Sequence, residues 1–404
     1  MIPDGWQVQN LADVALIILG QSPPSSACND KVKGYPFYQG NADFGYRHPL
    51  PQNWIEKPLK VAKKDDILIS VRAPVGELNI ANTDCCIGRG VGAIRPLSVN
   101  RNFIYYTLLN ARNSLASVSQ GSTFDAINGK ELRSLSLLIP PFPEQKKIAA
   151  ILSSVDDAIQ ATQAVIDQTR TVKQGLLQQL LTRGIGHTRF KQTEIGEIPE
   201  EWDLTSLANL GPPDRPAIKA GPFGSALKKS FYVNHGYKVY GQEQVISGDF
   251  SIGNYYIDAN LFEKLKTCAV HPGDILISLV GTFGKSVVAP HNIEPGIINP
   301  RLVRLALEPS LVEPFFIKEW LGCSDTQKQL KGVAHGGTMG ILNAGTFKSL
   351  QLPLTPLHEQ RHIVNILSSF DETLKAEHAK LQQNFRIKKG LMQDLLTGRV
   401  RVKL

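Results

Sequence analysis

The sequence predicts an α+β protein: two similar mixed α/β globules held apart by two long helices that pair as an antiparallel intramolecular coiled coil. Three observations carry the prediction. The chain repeats itself, each copy ends in a proline-free stretch of about 40 residues with coiled-coil spacing, and the remainder of each copy is rich in Gly and Pro between short apolar runs.

The repeat appears when the chain is slid against itself. Glu144-Gln145-Lys146-Lys147-Ile148 returns as Glu359-Gln360-Arg361-His362-Ile363, an offset of 215, and 18 of the 40 aligned positions from 144 to 183 are identical. Upstream the similarity weakens but keeps its order. Asp66-Ile67-Leu68-Ile69-Ser70 stands over Asp274-Ile275-Leu276-Ile277-Ser278, and Gln120-Gly121-Ser122-Thr123 over His335-Gly336-Gly337-Thr338. The openings also match, Ile2-Pro3-Asp4-Gly5-Trp6 with Ile198-Pro199-Glu200-Glu201-Trp202. The chain is a tandem duplication.

Taken in order, residues 1–143 form the first globule. Ile67-Leu68-Ile69 and Gly92-Ala93-Ile94 read as strands between turns, and 102–119 as its helix. Pro141 and Pro143 stop this globule and release a helix over 144–184. Its seam steps alternately by four and three through Ile148, Leu152, Val155, Ile159, Thr162, Ile166, Thr169, Lys173, Leu176 and Leu180. A short linker, 185–197, opens the second globule, 185–357, with strands at Val239-Tyr240 and Leu276-Ile277 and a helix over 314–330. Pro353 and Pro356 precede the second helix and tail, 358–404, whose seam is Ile363, Leu367, Phe370, Leu374, Glu377, Leu381, Asn384, Lys388, Leu391 and Leu395. At 1.5 Å per residue, ~38 residues make a helix of roughly 57 Å. Most such helices are dimerisation stalks, but the duplication supplies an internal partner. Antiparallel pairing would set two similar surfaces at a fixed separation about an approximate twofold axis. The polar seam residues Thr162, Thr169, Lys173, Glu377, Asn384 and Lys388 predict a seam that is not dry, with register fixed there or a partner covering it.

Composition bounds the function. The 404 residues are 42% hydrophobic and 20% charged, enough to bury real cores and too little charge for a disordered chain. No apolar run reaches the roughly 18 residues of a membrane span. The start Met1-Ile2-Pro3-Asp4 lacks the basic region of a signal peptide, so a cytoplasmic protein without a membrane partner is expected. Five cysteines without a Cys-x-x-Cys indicate neither a disulfide framework nor a zinc site. The formal charge of +8 is compatible with nucleic acid and equally with an ordinary enzyme.

Catalytic machinery is not found. There is no Gly-x-x-x-x-Gly-Lys-[Ser/Thr] loop, no Gly-x-Ser-x-Gly and no His-Glu-x-x-His. The Asn-Pro-Pro-aromatic signature of an adenine methyltransferase is also missing; Asn299-Pro300-Arg301 and Ile139-Pro140-Pro141-Phe142 are the nearest matches. The glycine-rich Gly221-Pro222-Phe223-Gly224-Ser225 loses a backbone donor to Pro222 and reads poorly as a phosphate cradle. No metal site, catalytic residue or cofactor in this chain is expected. What remains is a set of polar loop residues of the types that read base edges or hold phosphates. In the first half these are Tyr38, Gln39, Asn41, Arg72, Arg89, Ser122 and Thr123. In the second they are Lys219, Ser225, Lys228, Lys229, Gln242, Gln244, Thr282, Lys285, Arg301 and Thr338. Each alone reads as an ordinary surface side chain; recurrence at matched places raises the group, and double-stranded DNA is the expected partner.

Two Pro-x-x-Glu-Gln-x-x-Ile helices carry Ile-Leu-Ser-Ser-x-Asp (within Pro140 to Asp156 and Pro356 to Asp371) and close near Gly-Leu-x-Gln-x-Leu-Leu-Thr (Gly175 to Thr182; Gly390 to Thr397, where Met392 replaces the second Leu of the first copy). With the Trp6 and Trp202 openings and the stretch Gly221 to Lys228, this resembles the DNA specificity subunit of type I restriction-modification systems over essentially the whole chain. The resemblance implies that 1–143 and 185–357 are target recognition domains, each reading one half of a split asymmetric target. It implies that the helices act as a spacer and dock two methylation subunits carrying the S-adenosylmethionine site, with restriction subunits, up to two, bound outside them. The globules vary within that family, so only the scaffold roles transfer to named residues. A self-contained DNA-modifying enzyme and a coiled-coil scaffold without DNA binding are the alternatives.

Overall fold

The computed structural model describes residues 2–112, 126–279, 284–335 and 344–403. They form two compact units, residues 1–165 with 377–404, and residues 166–376. The expected boundaries at the helix starts are therefore not where compactness divides. The long helices run Phe142–Arg183 and Leu357–Leu395, and each unit contains a portion of both. Pro143 sits in the first helical turn, where its missing N–H would have had no partner, and Pro356 immediately precedes the second helix.

In the first unit a four-stranded sheet has the order Ala15–Leu19, Val91–Pro96, Ile67–Ser70, Leu78–Ile80. A second sheet has the order Cys28–Asn29, Asn53–Ile55, Tyr35–Tyr38, Cys85–Ile87, Val61–Ala62, with Tyr35–Tyr38 and Cys85–Ile87 parallel. The second unit repeats the plan. Ile218–Ala220, Leu302–Leu305, Ile275–Ser278 and Ser286–Val288 form one sheet; Tyr256–Ile257, Tyr237–Tyr240, Gly296–Ile298 and Ala269–Val270 form the other, again with one parallel pair. The apolar runs read as strands are all strands, because each is buried on both faces: Ile67, Leu68, Ile69 and their counterparts Ile275, Leu276, Ile277 are fully buried.

Three expectations need revision. The helix expected over 102–119 is described only as Arg101–Asn110, since 113–125 lie outside the described residues. The helix expected over 314–330 is two helices, Pro314–Gly322 and Ser324–His335, separated by extended Cys323. The linker 185–197 contains strand Phe190–Thr193, which pairs with Gly196–Pro199 as a hairpin.

Every predicted seam position is buried or half-buried. Ile148 and Leu152 enter the first unit's core with Met392, Leu395 and Leu396, and Leu180 and Leu181 enter the second unit's core with Ile363 and Leu367. In each unit the start of one helix thus lies beside the end of the other. The two lysines of the seam are ion-paired: Lys388 reaches Asp156 at 2.6 Å in the first unit, and Lys173 reaches Asp371 at 2.6 Å in the second. The offset of 215 exchanges these two pairs, so the pairing direction is antiparallel in both units.

The Glu-Gln opening of each helix has a physical role. Glu144 accepts from Trp6 Nε1 at 3.1 Å, and Glu359 accepts from Trp202 Nε1 at 3.1 Å. Gln145 accepts from Asn100 N, at the N-cap of Arg101–Asn110, while Gln360 accepts from Glu313 N, at the N-cap of Pro314–Gly322. The motif bolts each long helix to the first segment and to the helix of its globule. Glu144 is closed by the Arg401 fork, Nε at 2.8 Å and Nη2 at 2.9 Å. Glu359 is closed by Ile185 N at 2.9 Å, His187 Nε2 at 3.0 Å and Thr355 Oγ1 at 2.5 Å.

Burial pushes the Glu359 carboxyl up, but donors from Thr355, Ile185, Trp202 and His187 outweigh it and hold the group below the ordinary glutamate range. A carboxylate depressed in the folded state stabilises the fold fully above its unfolded value, and that contribution is lost as pH falls through the folded value. Glu359→Gln should therefore lower unfolding free energy at neutral pH by about 1–3 kcal/mol. In urea unfolding across acidic pH, the gap between wild type and variant should close as Glu359 protonates; a constant gap would contradict this role.

Candidate nucleic-acid interface

In the first unit, four chain segments leave the strand ends at one place. Strand Tyr35–Tyr38 ends where Gly88 N donates to Tyr38 O at 2.8 Å, and Val71 N, just past Ile67–Ser70, donates to Gly90 O at 2.9 Å. Gly20 N donates to Val91 O at 3.0 Å, and Arg89 N donates to Ser22 Oγ at 3.0 Å. A Cβ on Gly20 would stand 2.2 Å from Gly88 O, so only glycine lets these two turns approach. The result is a cleft of about 120 Å³ lined by Ser22, Gln39, Asn41, Arg72 and Arg89. Four of the residues singled out in the sequence are thereby brought together. Gln39, Arg72 and Arg89 are exposed and Asn41 is half-buried. Among the described residues no carboxylate pairs with either arginine.

The second unit builds the corresponding place with the same backbone bonds. Asn299 N donates to Tyr240 O at 2.8 Å, Leu279 N to Arg301 O at 3.0 Å, and Gly221 N to Leu302 O at 3.0 Å. A Cβ on Gly221 would lie 1.9 Å from Asn299 O, the same close approach as at Gly20. Asn299-Pro300-Arg301 therefore stands where Gly88-Arg89-Gly90 stands in the first unit, with the arginine moved by one position. Arg301 is exposed, and its N–H donates to Asn299 Oδ1 at 2.9 Å. Gln242 is half-buried and its Nε2 donates to Ser278 Oγ at 2.7 Å.

The remaining candidates divide. Ser225, Lys228 and Lys229 are exposed on the segment that follows Gly221, and Lys219 is half-buried on strand Ile218–Ala220. Lys285 is exposed, but its Nζ donates to Ile246 O at 2.6 Å. Tyr38 is 1% exposed and Gln244 is 0% exposed, so neither side chain can touch a ligand in this conformation and both leave the candidate set. Tyr38 packs into the core with Leu68, Cys85 and Val91, where burial pushes its hydroxyl far above the ordinary tyrosine value. Gln244 accepts from Gly241 N at 2.7 Å and donates to Ile252 O at 2.8 Å, holding the turn from beneath. Ser122, Thr123, Thr282 and Thr338 lie outside the described residues. Ser22 and Ser278 were missed by sequence reasoning. Ser22 follows Gly20 as Phe223 follows Gly221, and that weak correspondence was the one available signal.

Among the described residues no helix is long and apolar enough to cross a membrane. The family model for the type I restriction modification DNA specificity domain matches the chain twice, over residues 3–169 and 219–384. The MjaX specificity subunit assigned to a type I restriction enzyme of Methanocaldococcus jannaschii is 42% identical over 185 residues, 45% of this chain and 44% of that one, so this alignment spans less than half of either. The MjaVIII specificity subunit of the same organism is 24% identical over 412 aligned positions, covering 100% of this chain and 94% of that one. The crystal structure of a type I restriction-modification S subunit from M. genitalium has the same fold, with a TM-score of 0.60 at 16% identity, covering 98% of this chain and 96% of that chain. With both halves matched by the family model and the same strand-end backbone bonds built in each, the chain belongs to the type I restriction-modification specificity subunits and carries two DNA specificity domains.

Proposed function

We propose that this chain is the noncatalytic sequence-reading subunit of a type I restriction-modification enzyme. Each domain reads one half of a bipartite asymmetric target in double-stranded DNA. The long helices space the two readers and dock two methylation subunits, which carry the S-adenosylmethionine site and through which restriction subunits attach. The observation that carries the reading is the duplicated strand-end arrangement: the same backbone bonds in both units set Arg89 and Arg301, neither paired with a described carboxylate, on equivalent turns, with Gln39 and Gln242 just past equivalent strands. Guanidinium and amide groups are the donors and acceptors that discriminate base pairs in the major groove, while lysines such as Lys228 and Lys229 suit phosphates. A self-contained modifying enzyme would need catalytic motifs, and none of those sought is in the sequence. A scaffold alone would leave the matched strand-end turns without a role.

The test is selection from a pool of duplexes carrying randomised half-sites, by the full chain assembled with its methylation subunits. Substituting Gln39, Asn41 or Arg89 by Ala should relax one half-site only, and substituting Gln242 or Arg301 should relax the other, each lost bidentate contact costing about 1–3 kcal/mol. Lys228→Ala and Lys229→Ala should weaken binding to all sequences together and flatten the salt dependence by about 0.9 per lost phosphate contact. Equal relaxation of both half-sites by Arg301→Ala would overturn the division of labour.

The isolated chain should bind no S-adenosylmethionine in calorimetry; saturable micromolar binding without partners would show that the cofactor site had been assigned to the wrong subunit.

If the helices set the gap, one extra heptad in both keeps the seam in register and adds roughly 10 Å at 1.5 Å per residue. The preferred gap should lengthen by about 3 base pairs at 3.4 Å each, with both half-sites unchanged. That insertion also rotates the second half-site by about 100°, so affinity should fall unless the DNA bends or the longer coil supplies rotation. An unchanged preferred gap would show that something other than the helices sets the spacing.

A further inference from the structure

The strand-end turns of the two units share a device that sits beside the reading residues rather than among them. In the first unit the chain leaves strand Tyr35–Tyr38 and turns at once into the short helical turn Asn41–Asp43. The Asp43 carboxylate folds back over the turn: its Oδ2 accepts from Gln39 N at 2.7 Å and from Gly40 N at 3.3 Å. The backbone of Asp43 is itself held, N–H to Gly40 O at 3.2 Å and carbonyl to Leu50 N at 2.8 Å. In the second unit strand Tyr237–Tyr240 leads into helix Gln242–Ser247, and Gln244 Oε1 accepts from Gly241 N at 2.7 Å. The acceptor differs, a carboxylate in one and a carboxamide in the other, but the bond is the same: a side chain three or four residues on captures the first N–H after the strand.

We infer that Asp43 and Gln244 are positioning residues for base discrimination, each fixing the turn that presents the reading amide of its own domain, Gln39 or Gln242. The inference rests on the recognition role proposed above and adds residues that themselves touch no base. Its physical basis is that a backbone N–H without an acceptor would turn to water or to a phosphate, and the residue carrying it would lose its fixed direction. Base discrimination needs a bidentate pair held to within fractions of an ångström, whereas phosphate attraction tolerates movement. Loss of the cap should therefore degrade selectivity and spare general affinity. A capping residue of merely structural importance would lower stability and weaken all sequences alike.

The experiment uses the full chain with its methylation subunits on the randomised duplex pool, with thermal unfolding measured in parallel. Asp43→Ala should lower discrimination at the half-site read by the first domain about tenfold, leaving the other half-site and the salt slope unchanged. Asp43→Asn keeps an acceptor oxygen at the same reach and should retain wild-type discrimination. Should Asp43→Ala fold poorly, Asp43→Glu, which displaces the carboxylate by one methylene, serves in its place and should lose discrimination likewise. Gln244→Ala should show the mirror result at the second half-site. Unchanged discrimination in a folded Asp43→Ala or Asp43→Glu variant overturns the inference, as does equal loss at both half-sites, or an Asp43→Asn variant as unselective as Asp43→Ala. A wild-type assembly with no base preference would instead sink the recognition reading itself, so the two failures are distinguishable.

Discussion

The structure depends on a buried carboxylate at the start of each long helix. Glu144 and Glu359 are 1% and 7% exposed, and each would destabilise its surroundings if left without donors. Each is satisfied from distant parts of the chain: by the indole of the tryptophan that opens its globule, and by groups that lie beyond the end of the other helix. For Glu144 the second donor is the Arg401 guanidinium; for Glu359 it is His187 together with Ile185 N. The requirement to satisfy one charge thus fixes where a globule begins, where a helix begins and where the other helix ends. Antiparallel pairing in each unit follows from it.

The seam carries the same logic along the helices. A coiled coil made wholly of leucine and isoleucine would tolerate register shifts, because one apolar layer resembles the next. Here Lys173 and Lys388 each meet an aspartate of the other helix, and Asp156 also accepts from Tyr106 OH at 2.6 Å and, at 3.4 Å, from Tyr46 OH. In the first unit a shift by one turn would leave half-buried Lys388 and buried Asp156 apart. In the first unit the aspartate also joins the helix to the globule, so register and domain orientation are set by one cluster.

Much of this was legible in the sequence. The duplication, the two long helices and their seam positions follow from spacing alone, since a 3.5-residue period over 40 residues has few alternatives. The buried strands followed from apolar runs between turn residues. The Trp openings were visible as motifs, but their reason was not, because the partner carboxylates lie 138 and 157 residues away. The break at Cys323 follows Gly322 and precedes the polar run Ser324 to Gln329, a stop-and-restart signal that a single helix over 314–330 passes over. At the strand ends, four of the residues chosen by composition line one cleft in the first unit, but composition could not tell an outward side chain from an inward one. Gln244 is of the same residue type as exposed Gln39, and whether such a side chain turns outward or caps a turn is decided by neighbours brought together by the fold. Glycines proved the better guide, since Gly20 and Gly221 mark where two turns must touch.

The proposal is that two similar strand-end surfaces in one chain read two different half-sites separated by a gap. Methylome sequencing of a host expressing the chain with its methylation subunits tests it most directly, because the modified bases report both half-sites and the gap between them in one measurement. One bipartite asymmetric motif is predicted, with two short specified segments flanking an unspecified gap of constant length. A continuous or palindromic motif, or methylation without sequence preference, would contradict it.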